Sequence, residues 1–239
     1  MPLHKNPTET RLPASDGLIS IEVRDDINLH RKHIVDIPFH VIEHFAPNVV
    51  SLIEFNTLGG DYALPLRLSS LEHAEDVEIP ILNQIFTYWL HSPKATQTQA
   101  LPFCETIAES VLTYRALRML HSPQAKYLRS HVMRRLRNQP VNEFDVQTIW
   151  WAFQFTSEFL EMLNMLMYNI VHFNVLTLEP TGGHIVCFVE TELLQLSESG
   201  RELILSLYRQ QQRGLLLNKL ILQRRRISRA FNHLFRTDS

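Results

Sequence analysis

His40-Val41-Ile42-Glu43-His44 is the run whose residue types and spacing point most directly to bond-making chemistry. Two histidines at i and i+4 fall on one face of a helix and can share a metal ion, while the glutamate between them activates water; this is the inverted zinc-peptidase pattern H-x-x-E-H. Such a hydrolase needs a third ligand, for which Glu105 and Glu109 are available carboxylates. Twelve histidines in 239 residues make a chance match common. The expectation is therefore an exposed helical face without metal, and a metal-dependent hydrolase using His40, Glu43 and His44 is the alternative. A second histidine group, His30, His33 and His40, has no cysteine at finger spacing beside it. Gly59-Gly60 and Gly182-Gly183 lack the spacing and the Lys-Ser/Thr of a phosphate loop, and no serine lies in a G-x-S-x-G context. The chain is expected to carry neither catalytic residues nor a cofactor.

Binding chemistry is more visible. The total charge of −2 hides an asymmetry: residues 209–239 hold eight Lys or Arg against Asp238 alone, a net +7, which leaves −9 on the rest. Arg224, Arg225, Arg226 and Arg229 form a basic patch that suits phosphate backbones, an acidic partner or a membrane surface. Arg225 and Arg226 also stand just ahead of Ser228, a pattern that basophilic kinases read. The bland expectation for this segment is a solvated helix that packs Leu217, Ile221 and Phe231 against the body. Trp89 reads as core. Adjacent Trp150 and Trp151 must point in different directions on a helix, so one of them is a candidate partner contact.

The elements that position these groups follow from periodicity. Forty-five per cent hydrophobic residues suffice for a sizeable core, and two distant cysteines, Cys104 and Cys187, suit free thiols in a reducing compartment. The N-terminal segment lacks the apolar run of a signal peptide, so the expected location is cytoplasmic or nuclear. Phe159 to Leu178 carries one charge, Glu161, but Asn164, Asn169, His172 and Asn174 argue for a buried helix and against a membrane span.

Alternation from Leu18 to Val23, turn chemistry at Arg24-Asp25-Asp26 and renewed alternation at Ile27 and Leu29 predict a hairpin. From Arg31 to about Phe45 near-helical spacing predicts two short helical pieces broken at Pro38. Val49 to Phe55 and Tyr62 to Leu68 read as strands, and residues 79–91 as a helix with Pro80 in its first turn. Four helices follow: Glu105 to Leu120; a run from Ser122-Pro123 to about Arg137 with Tyr127, Leu128, Val132 and Leu136 inward; a run capped by Asn142; and Ser157 to about Val175. Glu179 to Gly183 is a sharp break, His184 to Val189 is left open between strand and helix, and a long helix runs from Ser199-Gly200 to about Phe235 with Gly214 a candidate kink.

The order of these elements resembles the BTB/POZ domain. Asp16 stands where that family opens its first strand with an acidic residue, and His30-Arg31, followed by Lys32, where it has a His and a basic residue entering a helix. Asp36-Ile37-Pro38-Phe39 resembles the family's turn between helices, Leu64 to Leu68 the strand before its third helix, Ile81 to Leu90 its aromatic helix, and Val111 to Leu120 the helix after it. The closest likeness is to divergent fungal members. The resemblance implies an α+β fold in which a small sheet is flanked by helical hairpins and followed by an all-helical extension. It implies a lead-in over 1–15, the domain over 16–137 and the extension over 138–239. It also implies a non-enzymatic interaction module whose dimer interface holds Asp16, His30 and Arg31, with Lys32 as the alternative cation. Protein partners are expected, among them a second copy or a cullin-type ubiquitin-ligase scaffold, with no membrane partner and with nucleic acid a weaker candidate through the basic helix.

Overall fold

The computed structural model describes residues 17–24, 31–56, 61–68, 74–92, 104–154 and 156–234, with the side chains of the last helix as far as Leu217. The fold is α+β. Its strands are β1 (Leu18–Arg24), β2 (Arg31–Pro38), β3 (Glu54–Asn56) and β4 (Asp61–Arg67). Its helices are α1 (Phe39–Phe45), α2 (Ala74–His91), α3 (Ile107–Met119), α4 (Gln124–Asn138), α5 (Glu143–Phe153), α6 (Phe159–His172), α7 (Thr181–Gln195) and α8 (Glu198–Leu234).

The sheet order is β2-β1-β4-β3, antiparallel for β1/β2 and β3/β4 and parallel for β1/β4. Parallel neighbours require a crossover, which α1 and the short strand β3 provide between β1 and β4. Ile19, Ile21 and Val23 are buried while Leu18, Ser20 and Glu22 face outward, the period-two signature of a sheet covered on one side. Leu64 and Leu66 lie in register with Ile21 and Val23 and extend that apolar face.

Several local expectations are corrected. Residues 31–38 form a strand in place of a helix, because β1 offers a ladder to β-branched Ile34, Val35 and Ile37; the near-helical spacing there was incidental. Pro38 separates strand from helix, at φ −58° and ψ 136°, and Phe39 N–H closes the junction onto Gly17 C=O at 2.8 Å. The turn between helical pieces falls at Ala46-Pro47, since Pro47 opens a 3-10 helix, Pro47–Leu52, where a strand was expected. Of that expected strand, Val49 to Phe55, only Glu54 and Phe55 lie in a strand, the short β3 (Glu54–Asn56). Helix α2 begins at Ala74, so Pro80 lies inside it, on its exposed side. Tyr127 points outward at 51% exposure, and Ala125, Val132 and Leu136 make the buried stripe of α4. The segment from Thr181 is helical through both glycines.

Two compact units emerge, residues 1–105 with 112–129, and residues 106–111 with 130–239, so the division passes within α3 and α4. In the first, Trp89 stacks on Phe45 at 5.2 Å and meets Phe86 edge-on, while its indole donates to Gln124 Oε1 at 3.0 Å. Ser122 Oγ donates to Phe45 C=O at 2.8 Å and caps the entry to α4. In the second, Asn142 and Asp145 form a reciprocal capping box that starts α5, as the sequence led one to expect for Asn142.

Candidate interaction surface

Arg31 and Lys32 lie on β2, an outer strand of the sheet, where they were expected to enter a helix. The Arg31 guanidinium reaches Glu22 Oε2 of β1 at 3.2 Å and Glu54 Oε2 of β3 at 3.5 Å. Lys32 Nζ pairs with Glu75 of α2 at 2.6 Å, and His33 with Asp36 at 2.9 Å. Exposed pairs of this kind contribute at most about 1 kcal/mol each, so their role is to mark the outer strand with fixed charge. Charges along an edge discourage indiscriminate strand pairing and make recognition selective. Asp16 and His30 lie outside the described residues. Glu22 and Glu54 were missed by the sequence reading, although the outward phase of Glu22 in the β1 alternation was its signal.

His40, Glu43 and His44 sit together on the exposed side of the seven-residue helix α1, as their spacing demands. His44 packs edge-on against Phe45, with ring centroids 4.6 Å apart. Among the described residues no group of three His, Cys, Asp or Glu is arranged to hold a metal ion. Glu109, one proposed third ligand, accepts from Thr106 N–H at 3.1 Å while Thr106 Oγ1 accepts from Glu109 N–H at 3.0 Å, a capping box for α3.

Trp150 is fully buried, against Phe159 and Phe188, so it is core and not a contact residue. Trp151 is the half-exposed member of the pair. Beside Trp150 lies Glu192 of α7, whose burial pushes its carboxyl above the usual carboxylate range, opposed by the Trp150 indole N–H. Neither the indole nitrogen nor Glu192 Oε2 reaches a hydrogen bond of full geometry.

Other buried polar groups in this unit are structural. Asp145 accepts from Ala108 N–H at 2.9 Å and Asn142 N–H at 3.0 Å; burial raises its carboxyl, and these N–H groups and Arg135 oppose the rise. Asn169 accepts from Val141 N–H at 3.0 Å and donates to the carbonyls of Leu136 and Gln139, which closes the chain between α4 and α5. The sequence placed Asn169 only as a polar interruption of an apolar helix.

Arg224, Arg225, Arg226 and Arg229 lie in the C-terminal half of α8. Leu217, expected against the body, is 59% exposed, so that packing stops short of it. No helix among the described residues is long and apolar enough to cross a membrane. No known protein family, curated protein or solved structure matches this chain.

Proposed function

We propose that residues 16–137 are a protein-interaction module of BTB/POZ type and that the chain works by association, without catalysis. The observation that carries this reading is the mixed sheet. A hairpin is followed by a helical crossover that returns β4 parallel to β1, then by the aromatic helix α2 and the helices α3 and α4. Strand β1, strand β4, the aromatic helix and the helical pair after it keep the order on which the resemblance rests; the two short helices of that order do not, since β2 and the single helix α1 stand over 31–45. The charged β2 face around Arg31 and Lys32 supports a surface built for selective contact. Cys104 and Cys187 are not joined in a disulfide, in keeping with cytoplasmic or nuclear work.

The module dimerises through the region of Arg31 or docks a cullin-type scaffold. Size-exclusion chromatography with light scattering tests the first arm, and titration with a purified cullin-type scaffold the second. A dimer weakened by Arg31→Glu, or a scaffold complex weakened by the same change, is the expected result. A strict monomer at micromolar concentration that also ignores the scaffold sinks the proposal.

A further inference from the structure

We propose that the C-terminal half of α8 docks on an anionic lipid bilayer, lying along the headgroup region as an amphipathic helix. The first observation is a change of face. Ile204, Tyr208, Gln211 and Leu215 are covered or partly covered positions of α8, spaced four, three and four, and α8 packs on α6, to whose Asn164 Gln211 donates at 2.8 Å. The apolar positions that follow, Leu216 and Leu217, are 60% and 59% exposed. At 3.6 residues per turn, positions 217, 220, 221, 227, 231 and 234 share an arc of roughly 140° centred about opposite that covered stripe. All six are Leu, Ile or Phe. The arc therefore does not continue the contact with α6. Helix α6 has 14 residues and α8 has 37, about 21 Å against about 55 Å, so α6 cannot accompany α8 to its end.

The second observation is charge of a single sign. No Asp or Glu occurs between Glu202 and Asp238, whereas Arg209, Arg213, Lys219, Arg224, Arg225, Arg226, Arg229 and Arg236 all fall there. Arg209 pairs with Glu202 at 4.0 Å, but beyond it the helix has no carboxylate at i and i+4 to offer its cations, where a solvated helix would gain from one. Positions 219, 225, 226 and 229 occupy roughly the 120° facing away from the apolar arc. Arg224 and Ser228 also fall at positions within the arc and Leu222 at one among the cations, so the two faces are predominantly, not wholly, apolar and basic. A second copy brings like charges together. Nucleic acid neutralises them but leaves six large apolar residues in water. An anionic bilayer surface takes up both faces at once, the apolar arc at the acyl boundary and the cations among the headgroups.

Flotation of the full chain with vesicles of phosphatidylcholine, with and without phosphatidylserine, tests the proposal, with duplex DNA as a competing probe. Binding is expected only to phosphatidylserine-containing vesicles and falls as salt rises. Replacing Arg225, Arg226 and Arg229 together by Gln lowers the affinity on the order of a hundredfold. Leu220→Gln with Phe231→Gln abolishes binding while every cation remains, and circular dichroism confirms that both variants are folded. Absence of phosphatidylserine-dependent binding at low salt overturns the proposal. So does vesicle binding unchanged in the Leu220/Phe231 variant, or tighter binding to duplex DNA that ignores that variant.

Discussion

Replacing Asn169 tests how the second unit is held together. Its amide is fully buried and serves three backbone groups: it accepts from Val141 N–H and donates to the carbonyls of Leu136 and Gln139. Leu136 and Val141 are themselves buried, whereas Gln139 is exposed and its carbonyl can turn to water. In Asn169→Ala two backbone groups lose their partners in a dry site, at about 1–3 kcal/mol each, and the third is rehydrated at little cost. The expected loss is about 4 kcal/mol, a large share of the stability of a domain this size. Asn169→Asp makes a sharper comparison. An ionised carboxylate still accepts from Val141 N–H but turns its other oxygen on two carbonyls, so this variant is less stable than Asn169→Ala at neutral pH. Protonation restores one donor, so Asn169→Asp recovers as pH falls. Urea unfolding followed by tryptophan fluorescence suits the purpose, because Trp150 and Trp151 lie in the same unit. A loss under 1 kcal/mol for Asn169→Ala, or an Asn169→Asp variant indifferent to pH, refutes the reasoning.

Glu192→Gln is expected to stabilise the protein at neutral pH. Burial raises the folded-state pKa above an unfolded value of about 4.3, so the group's contribution is full below that value and is lost as pH rises through the folded one. Denaturation midpoints of wild type and variant should converge on acidification, and parallel curves would rule out the buried carboxyl as the cause. Gly182→Ala should destabilise by about 1–3 kcal/mol in thermal melts, since a Cβ there runs into the backbone carbonyl of Leu176. Gly183→Ala, whose Cβ meets Glu179 Oε2 at an ordinary 3.5 Å, should be tolerated. Glu78→Ala removes the buried carboxylate bonded to Arg115 at 2.7 Å and should cost about 3 kcal/mol in chemical denaturation. Glu75→Ala, which breaks the exposed pair with Lys32, should cost under about 1 kcal/mol.

What the sequence determined by itself is local. The existence of α3, α4, α5 and α6 and the caps of two of them are written in neighbouring residues, so Asn142 announces α5 and Ser122-Pro123 announces α4 before any tertiary contact is known. The alternation of Ile19, Ile21 and Val23 likewise specifies a strand with one buried face. What only the tertiary structure decided depends on partners. Residues 31–38 carry a pattern open to either period, and they become a strand because β1 lies beside them to accept a ladder. Trp150 and Trp151 are equivalent in sequence; the packing of Phe159 and Phe188 buries one of them. Arg31 was expected to enter a helix and to pair with Asp16; it lies on a strand instead, and its carboxylates come from β1 and from β3, a strand too short for periodicity to announce. Helix periods and caps are set within a few residues, whereas strand pairing, burial and buried hydrogen bonds join positions far apart in the chain and exist only once it has folded.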